Sequence, residues 1–442
     1  MSNIQLDFLN FKRACKPDKT LDIGKDADKQ YYIDFSSVRG GEIIEEVKQI
    51  ITLSADDDDR TCQLFTGHIG CGKSTELLRL KAELEEEDFH VVYFESSQDL
   101  DLVDVRISDI LMAIAGRISE SLEDIEIKLK PGFFEKLFTD TVNLLNTPLE
   151  LSGELSLKIV KLAAKTKENP QERNQLREYL ETRTSPLLES INEEILAKAA
   201  KELKRKYNKQ GLVVIVDNLD RVGNKSLPGG RTQPEYLFID QGSQLGGLNC
   251  HVVYTIPLPL IFSSEIDALK QRLGGGVAPK VLPMVPAQLK DGSECAEGMK
   301  LLRQMVMARA FPTLSEQERI NRISEVFDSP HTLDRLCRVS GGHVRNLMAL
   351  LFSCCLKTKN PPITGDCLEK VIREERNTRM ATIIEPQWEL LRQVKQSKKI
   401  VGSNPEYQNL LRSLLVYEYR NDDAGHWFDI NPVLAEADEL QP

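Results

Sequence analysis

The sequence predicts an α/β fold. Its parts are a parallel-sheet core carrying a glycine-rich loop, a helical insertion, a helical lid and a C-terminal winged-helix domain. Three observations predict it. The short strand Cys62–Thr66 runs directly into a glycine-rich turn and then into an amphipathic helix. Leu212–Val216 is apolar at every position, as a strand covered on both faces must be. From about residue 295 to about 375 the apolar residues recur at helical spacing.

The elements follow in order. Residues 1–60 read as a leader, with Tyr31–Phe35 short, aromatic and strand-like. A helix is expected over Gly41–Ile51 from the spacing of Ile43, Ile44, Val47, Ile50 and Ile51. Asp56–Asp59 is an acidic run and reads as a solvated loop. Past the glycine turn, a helix runs from Lys73 to about Glu87 with Leu77, Leu80 and Leu84 on one face, and His90–Phe94 is the next strand. Strand, loop, helix and strand open a βαβ unit. Helices are expected over Asp104–Ser121, Phe133–Asn146 and Gln171–Lys209, forming an insertion at about 100–210. Leu212–Val216 and His251–Thr255 are further strands, and Gly274–Gly276 is a loop. Near the end, Asn404 and Pro405 form a helix start, cap then first-turn proline. Leu415–Tyr419 and His426–Ile430 flank the turn Asn421–Gly425 as a hairpin, and helices followed by a hairpin suggest a winged helix-turn-helix.

Composition bounds the function classes. The chain has 442 residues, 41% hydrophobic and 28% charged, which is ordinary for a soluble globular protein of two or three domains. No apolar stretch approaches the roughly 20 residues that span a bilayer, and the N-terminus lacks the pattern of a secretory signal. A cytoplasmic protein without a membrane partner is expected. Nine scattered cysteines, none in a CxxC pair, read as reduced thiols. The net charge of -11 disfavours non-specific binding to nucleic acid, which rests on phosphate contacts. The basic run Lys201, Lys204, Arg205, Lys206 and Lys209 has Glu202 within it and no interleaved aromatics, and so reads as a solvated helix face.

The chemistry concentrates in the run Gly67, His68, Ile69, Gly70, Cys71, Gly72, Lys73, Ser74, followed by Thr75. It matches G-x-x-x-x-G-K-[ST], the P-loop or Walker A pattern, between a strand and a helix, which is the confirming context. Glycines let consecutive backbone N–H groups turn toward phosphates, and the start of the helix adds its positive end. Lys73 then bridges the β- and γ-phosphates of ATP and the Ser74 hydroxyl coordinates Mg2+. Asp217, at the end of the strand Leu212–Val216, fits the Walker B carboxylate that holds the same Mg2+. Asn218 stands where many ATPases carry an acid that polarises the attacking water. An amide orients water but does not take its proton, which makes Asp220 the best substitute base; an Asp220–Arg221 structural ion pair is the alternative. Thr255 ends its strand as a sensor candidate, or equally as a buried capping threonine. Gly341 and Gly342 precede a helix on which Arg345 lies near the start, off the apolar face, where it could reach and sense the γ-phosphate; a surface arginine on a lid helix is the alternative. His343 reads as a packed or capping residue.

These pieces in this order, Gly67–Ser74, Asp217–Arg221, Thr255 and the Gly-Gly-x-x-Arg of 341–345, resemble the AAA+ and STAND branch of P-loop ATPases. Val38-Arg39-Gly40-Gly41-Glu42 is similar to the element that contacts the base in origin-recognition-type ATPases, and Asp217–Arg221 is similar to that of the KAP family. The resemblance covers about residues 30–375, and the last segment is similar to the winged helix that often follows. It implies four regions: a leader with a base-contacting element at 1–60, a P-loop ATPase core at 61–290, a helical lid at 295–380 and a winged helix at 385–442. It also implies an ATP-dependent molecular switch, slow in turnover, that closes its lid on ATP and changes self-assembly or contacts with a protein partner. Chains of this kind are frequent in bacterial conflict systems. The alternatives are a DNA-loading ATPase that uses the winged helix, and a nucleotide-sensing scaffold with little turnover. The departures are the wide spacing of Lys73 and Asp217, the missing acid at 218, and the lack of an identified arginine finger, for which Arg221 and Arg272 are candidates.

Overall fold

The computed structural model describes residues 5–55, 59–129, 132–145, 154–159, 169–401, 404–421 and 425–441. Most of the acidic run at 56–59 and the tip of the hairpin turn at 422–424 therefore lie outside the described residues. The chain divides into two compact units: one of Ile44–Thr66 and Leu80–Lys280, the other of Met1–Ile43, Gly67–Arg79 and Val281–Pro442.

The first unit is organised by a sheet. Its strands are β1 (Cys62–Gly67), β2 (His90–Glu95), β3 (Leu212–Asp217) and β4 (His251–Thr255), in the order β2-β3-β4-β1, and the short β5 (Lys280–Leu282) stands where the chain passes into the second unit. The pairs β2–β3, β3–β4 and β4–β1 are parallel. β3 is buried along its whole length, the expectation for a run apolar on both faces. Strand β4 lies between β1 and β3, pairing Phe65 with Thr255 and Val216 with Tyr254, so the C-terminal ends of three strands converge. Such convergence is where open parallel sheets build sites.

The insertion packs on this sheet as helices Ile107–Glu123, Gly132–Leu145, Pro170–Glu181, Thr184–Ser190 and Ala197–Tyr207, with a π-helical stretch at Ile191–Leu196. The long helix expected over Gln171–Lys209 is thus broken. Ile110, Leu111, Ile114 and Ile118 face Val92, Val214 and Val216 in one apolar core. Arg177 fastens the insertion from within, holding Asp104 and Asp109 at 2.7 Å each while itself buried. The helix predicted from 41 to 51 occupies Ile43–Ala55, and its Ile44, Val47 and Ile51 are buried.

The second unit has its own core. Helices Ala296–Ala310, Pro330–Ser340, Val344–Lys357 and Gly365–Met380 enclose Leu302, Val306, Leu333, Leu347 and Leu351, and the N-terminal Phe11 and Phe35 join them. The expected strand at Tyr31–Phe35 is not formed. Its polar groups find other partners: Asp34 accepts from the Ser36 N–H at 2.8 Å, and the Tyr32 hydroxyl reaches Glu76. Helices Glu385–Ser397 and Pro405–Arg412 precede an antiparallel hairpin, β6 (Val416–Asn421) and β7 (Gly425–Ile430). Asn404 caps the second of these helices by accepting from the Glu406 N–H at 2.9 Å, as its place before Pro405 predicts. All nine cysteines are free. Among the described residues no helix is long and apolar enough to cross a membrane.

Candidate functional site

The glycine-rich loop leaves the C-terminal end of β1 at Gly67, and Lys73 opens the helix Lys73–Glu86. Leu77, Leu80 and Leu84 are fully buried on that helix, which anchors it by the face its spacing predicts. The Lys73 ammonium, 5% exposed, donates to the carbonyls of Gly67 at 2.9 Å and His68 at 2.8 Å and so closes the loop on itself. Glycine is required where the loop is tightest. At Gly67 an added Cβ would meet the Leu282 carbonyl oxygen at 2.4 Å. At Gly70, with φ at +89°, it would meet the His343 ring at 2.8 Å and the Arg345 Cβ at 2.9 Å. A loop without side chains at its turns, followed by an ammonium and a helix N-terminus, suits the phosphates of a nucleotide.

Five residues remote in the chain hold this loop. Arg39, buried and stacked 5.1 Å over the Phe35 ring, donates through Nη2 to the Cys71 carbonyl at 2.9 Å. Burial lowers its pKa, a cost that an anion nearby would offset. His343 accepts at Nδ1 from the Asn346 N–H at 2.9 Å, capping its helix as its position suggests, and its Nε2–H donates to the Ile69 carbonyl at 2.8 Å. The backbone N–H of Arg345 donates to the Gly70 carbonyl at 3.1 Å. Tyr417 stacks on His343 at 5.6 Å between ring centroids. The fifth, Glu418, gives its backbone N–H to the His68 ring at 2.9 Å. Burial depresses His68 to about 4 and His343 to about 3, so both rings are neutral at ordinary pH.

Glu76, three residues past Lys73, was not singled out from the sequence. It is a buried carboxylate whose pKa burial raises, it accepts from the Tyr32 hydroxyl at 3.2 Å, and Arg79 lies 3.7 Å away. The signal available was its place in the first turn of a helix that begins at a lysine.

Within the sheet unit the structure brings together Asp217, Asn218, Asp220 and Thr255. Asp217 is 1% exposed, accepts from the Tyr93 hydroxyl at 2.9 Å and from the Asn218 N–H at 2.7 Å. Tyr93, on β2, is the partner that sequence alone did not reveal. Asn218 sits in the left-handed region, with φ at 65°. Asparagine adopts that conformation more readily than glutamate, which gives position 218 a conformational reason for its residue. Asp220 is buried in the short turn Leu219–Arg221. The Thr255 hydroxyl accepts from the Leu219 N–H at 3.0 Å and donates to the Val216 carbonyl at 3.3 Å, tying the turn after Asp217 to β4.

Residues 42–228 match the KAP family P-loop domain, which bears out the similarity read at Asp217–Arg221. Comparison with curated proteins found no match. Among solved structures, the chain is similar to the ORC2 protein of Aeropyrum pernix in its ADPNP–ADP complexes. The identity is 12%, covering 90% of this chain and 91% of that one, at a TM-score of 0.40. It is also similar to Drosophila ORC bound to DNA, at 11% identity, covering 100% and 92%, TM-score 0.37. A third is the RuvB Holliday junction branch migration motor of Thermotoga maritima, at 11% identity, covering 89% and 95%, TM-score 0.35. The fold is α/β, of the P-loop NTPase kind with a parallel sheet, and residues 42–228 are similar to the P-loop domain of the KAP family.

Proposed function

We propose that this chain binds ATP with Mg2+ and hydrolyses the β–γ phosphoanhydride slowly, as a cytoplasmic molecular switch of the AAA+/STAND type. The observation that carries the reading is the loop itself. Gly67–Ser74 is closed by Lys73, needs glycine at its turns, and is held by Arg39, His343 and Arg345.

In this reading the loop backbone and Lys73 hold the phosphates, with Thr75 in the same helical turn. Ser74 and Asp217 hold Mg2+, which supplies neutralisation of charge on the β- and γ-phosphates. Arg39 serves the nucleotide through the loop it supports, and Thr255 positions the turn that carries Asn218 and Asp220. Asn218 orients the attacking water and Asp220 takes its proton. Arg345 reads the γ-phosphate and conveys its presence to the helical lid at 295–380. The last segment, 385–442, acts as a winged helix, and a protein partner or a second copy of the chain receives the signal. The resemblance to STAND chains supports a place in a bacterial conflict system.

The test is ATP binding and steady-state hydrolysis by wild type, Lys73→Ala and Asp217→Ala, with and without DNA. Binding and turnover by wild type, with both lost in Lys73→Ala and turnover lost in Asp217→Ala, are expected. Hydrolysis that survives Lys73→Ala would remove the site assignment. Stimulation by DNA would favour a DNA-loading ATPase, and binding without turnover would favour a sensing scaffold.

A further inference from the structure

Away from the glycine loop, the second unit contains a cavity of about 370 Å³ at the junction of the N-terminal helix Phe8–Ala14 with the end of helix Ala296–Ala310. That volume lies toward the lower end of small-molecule sites and is about a dozen times the share of one water. The walls combine apolar surface from Tyr31, Pro312 and Ala14, backed by the buried Phe11 and Phe311, with three cations, Arg13, Lys19 and Arg309. Among the described residues the one carboxylate in the wall, Asp7, is already committed to its helix. It caps it through Leu9 and Asn10 N–H at 3.1 and 3.0 Å and takes the Asn10 side chain at 2.7 Å. The wall is therefore net positive in a chain whose overall charge is -11.

Arg309 is the unusual member. It is 8% exposed, and burial lowers its pKa. No carboxylate forms an ion pair with it among the described residues: its Nη1 donates to the Tyr31 carbonyl at 2.8 Å, and its Nε has no hydrogen-bond partner. A guanidinium taken out of water without a counter-ion costs several kcal/mol. Tyr31 recovers part of this, because its ring lies 5.1 Å from the Arg309 guanidinium and 5.3 Å from the Lys19 ammonium. The same ring thereby holds two cations around one cavity. Lys19 is partly neutralised by Asp28 at 2.7 Å, whereas among the described residues Arg13 meets the neutral Asn10 amide oxygen at 3.5 Å and no carboxylate.

We propose that this cavity is a second ligand site, which takes a small organic anion. Its phosphate or carboxylate pairs with Arg309 and Arg13, and its apolar body rests on Tyr31, Pro312 and Ala14, the lining residues that keep accessible apolar surface. The anion supplies the counter-charge that Arg309 lacks. A planar guanidinium matches either group through two parallel N–H bonds. The site is independent of the glycine loop and takes a different class of ligand from a nucleotide triphosphate with Mg2+.

The test is isothermal titration calorimetry of the full chain with phenyl phosphate, and with inorganic phosphate as the ligand without an apolar body. Saturable binding of phenyl phosphate at about millimolar concentration is expected, tighter than inorganic phosphate. Arg309→Met should weaken it at least about tenfold. Arg13→Gln combined with Lys19→Gln, both at exposed positions that leave folding intact, should weaken it about three- to tenfold. Lys73→Ala should leave it unchanged. Absence of binding to folded wild type overturns the proposal, as does binding that the Arg13→Gln/Lys19→Gln pair leaves intact. Loss of binding in Lys73→Ala alone would place the anion on the glycine loop, overturning this site while leaving the nucleotide reading standing.

Discussion

The Nε2 of His68 accepts the backbone N–H of Glu418 at 2.9 Å, joining the first variable residue of the glycine loop to the central part of β6. Because Nε2 accepts, the proton of the neutral ring lies on Nδ1. The Tyr417 ring meets His68 edge-on at 5.9 Å. The Glu418 side chain is itself fully buried. Burial pushes its pKa up, but the His426 hydrogen bond at 3.0 Å and Arg420 at 2.7 Å outweigh that and hold it low. The conformation of the loop and the seating of the hairpin are therefore one structural variable.

His68→Ala should loosen the hairpin. Removing a buried ring together with its hydrogen bond to Glu418 costs about 2–4 kcal/mol. Hydrogen exchange at the Glu418 amide is the direct readout, and it should speed up markedly in the variant. ATP added to wild type should change protection over β6 as well. Unchanged Glu418 exchange in His68→Ala would show that the strand is held by other contacts.

Acid should weaken this unit through its two buried histidines. His68 is held at about 4 and His343 at about 3, against 6.5 when unfolded, first by burial. Lys73 also lowers His68, while Glu418 opposes the shift. For a base with a depressed folded pKa, the unfolded chain binds the proton first. Stability is then complete above pH 6.5 and falls as pH drops toward 4, where the loss from His68 levels off. The loss from His68 is on the order of 3 kcal/mol. Melting temperature followed from pH 7.5 to 4 should decline below 6.5, and His68→Gln should flatten part of the slope. A melting temperature constant over that range would refute the assignment.

Tyr93→Phe removes the hydroxyl that donates to Asp217 at 2.9 Å and leaves the ring in place. If that bond orients the carboxylate for the cation, the variant should need more Mg2+ for half-maximal hydrolysis, by about three- to tenfold, corresponding to about 1 kcal/mol. Binding of ATP without Mg2+ should not move. An unchanged Mg2+ dependence would leave Tyr93 as a packing residue.

Position 218 tests conformation against chemistry. With φ at 65°, Asn218→Gly should be nearly neutral for stability, whereas Asn218→Val should cost about 1–2 kcal/mol in chemical denaturation. Equal stability of the two variants would mean that the turn has relaxed. A faster ATPase in Asn218→Asp, at matched stability, would show that the missing acid limits turnover.

The sequence by itself determined the local architecture. Strands β1 to β4 were legible because apolar runs between turn residues have few other solutions, and the glycine loop because its spacing suits little else. The helix starts at Lys73 and Pro405 and the capping role of His343 follow from rules acting within four residues. Tyr31–Phe35 misled, because an aromatic run resembles a strand whether or not another strand is free to pair with it. Tertiary structure alone decided the partners. His68 meets a backbone group 350 residues away, Arg39 a carbonyl 32 away, and Tyr93 a carboxylate 124 away. Periodicity records which face of an element is buried. It does not record which side chain stands opposite, because that depends on how separate elements pack and on where each buried polar group finds its hydrogen bond.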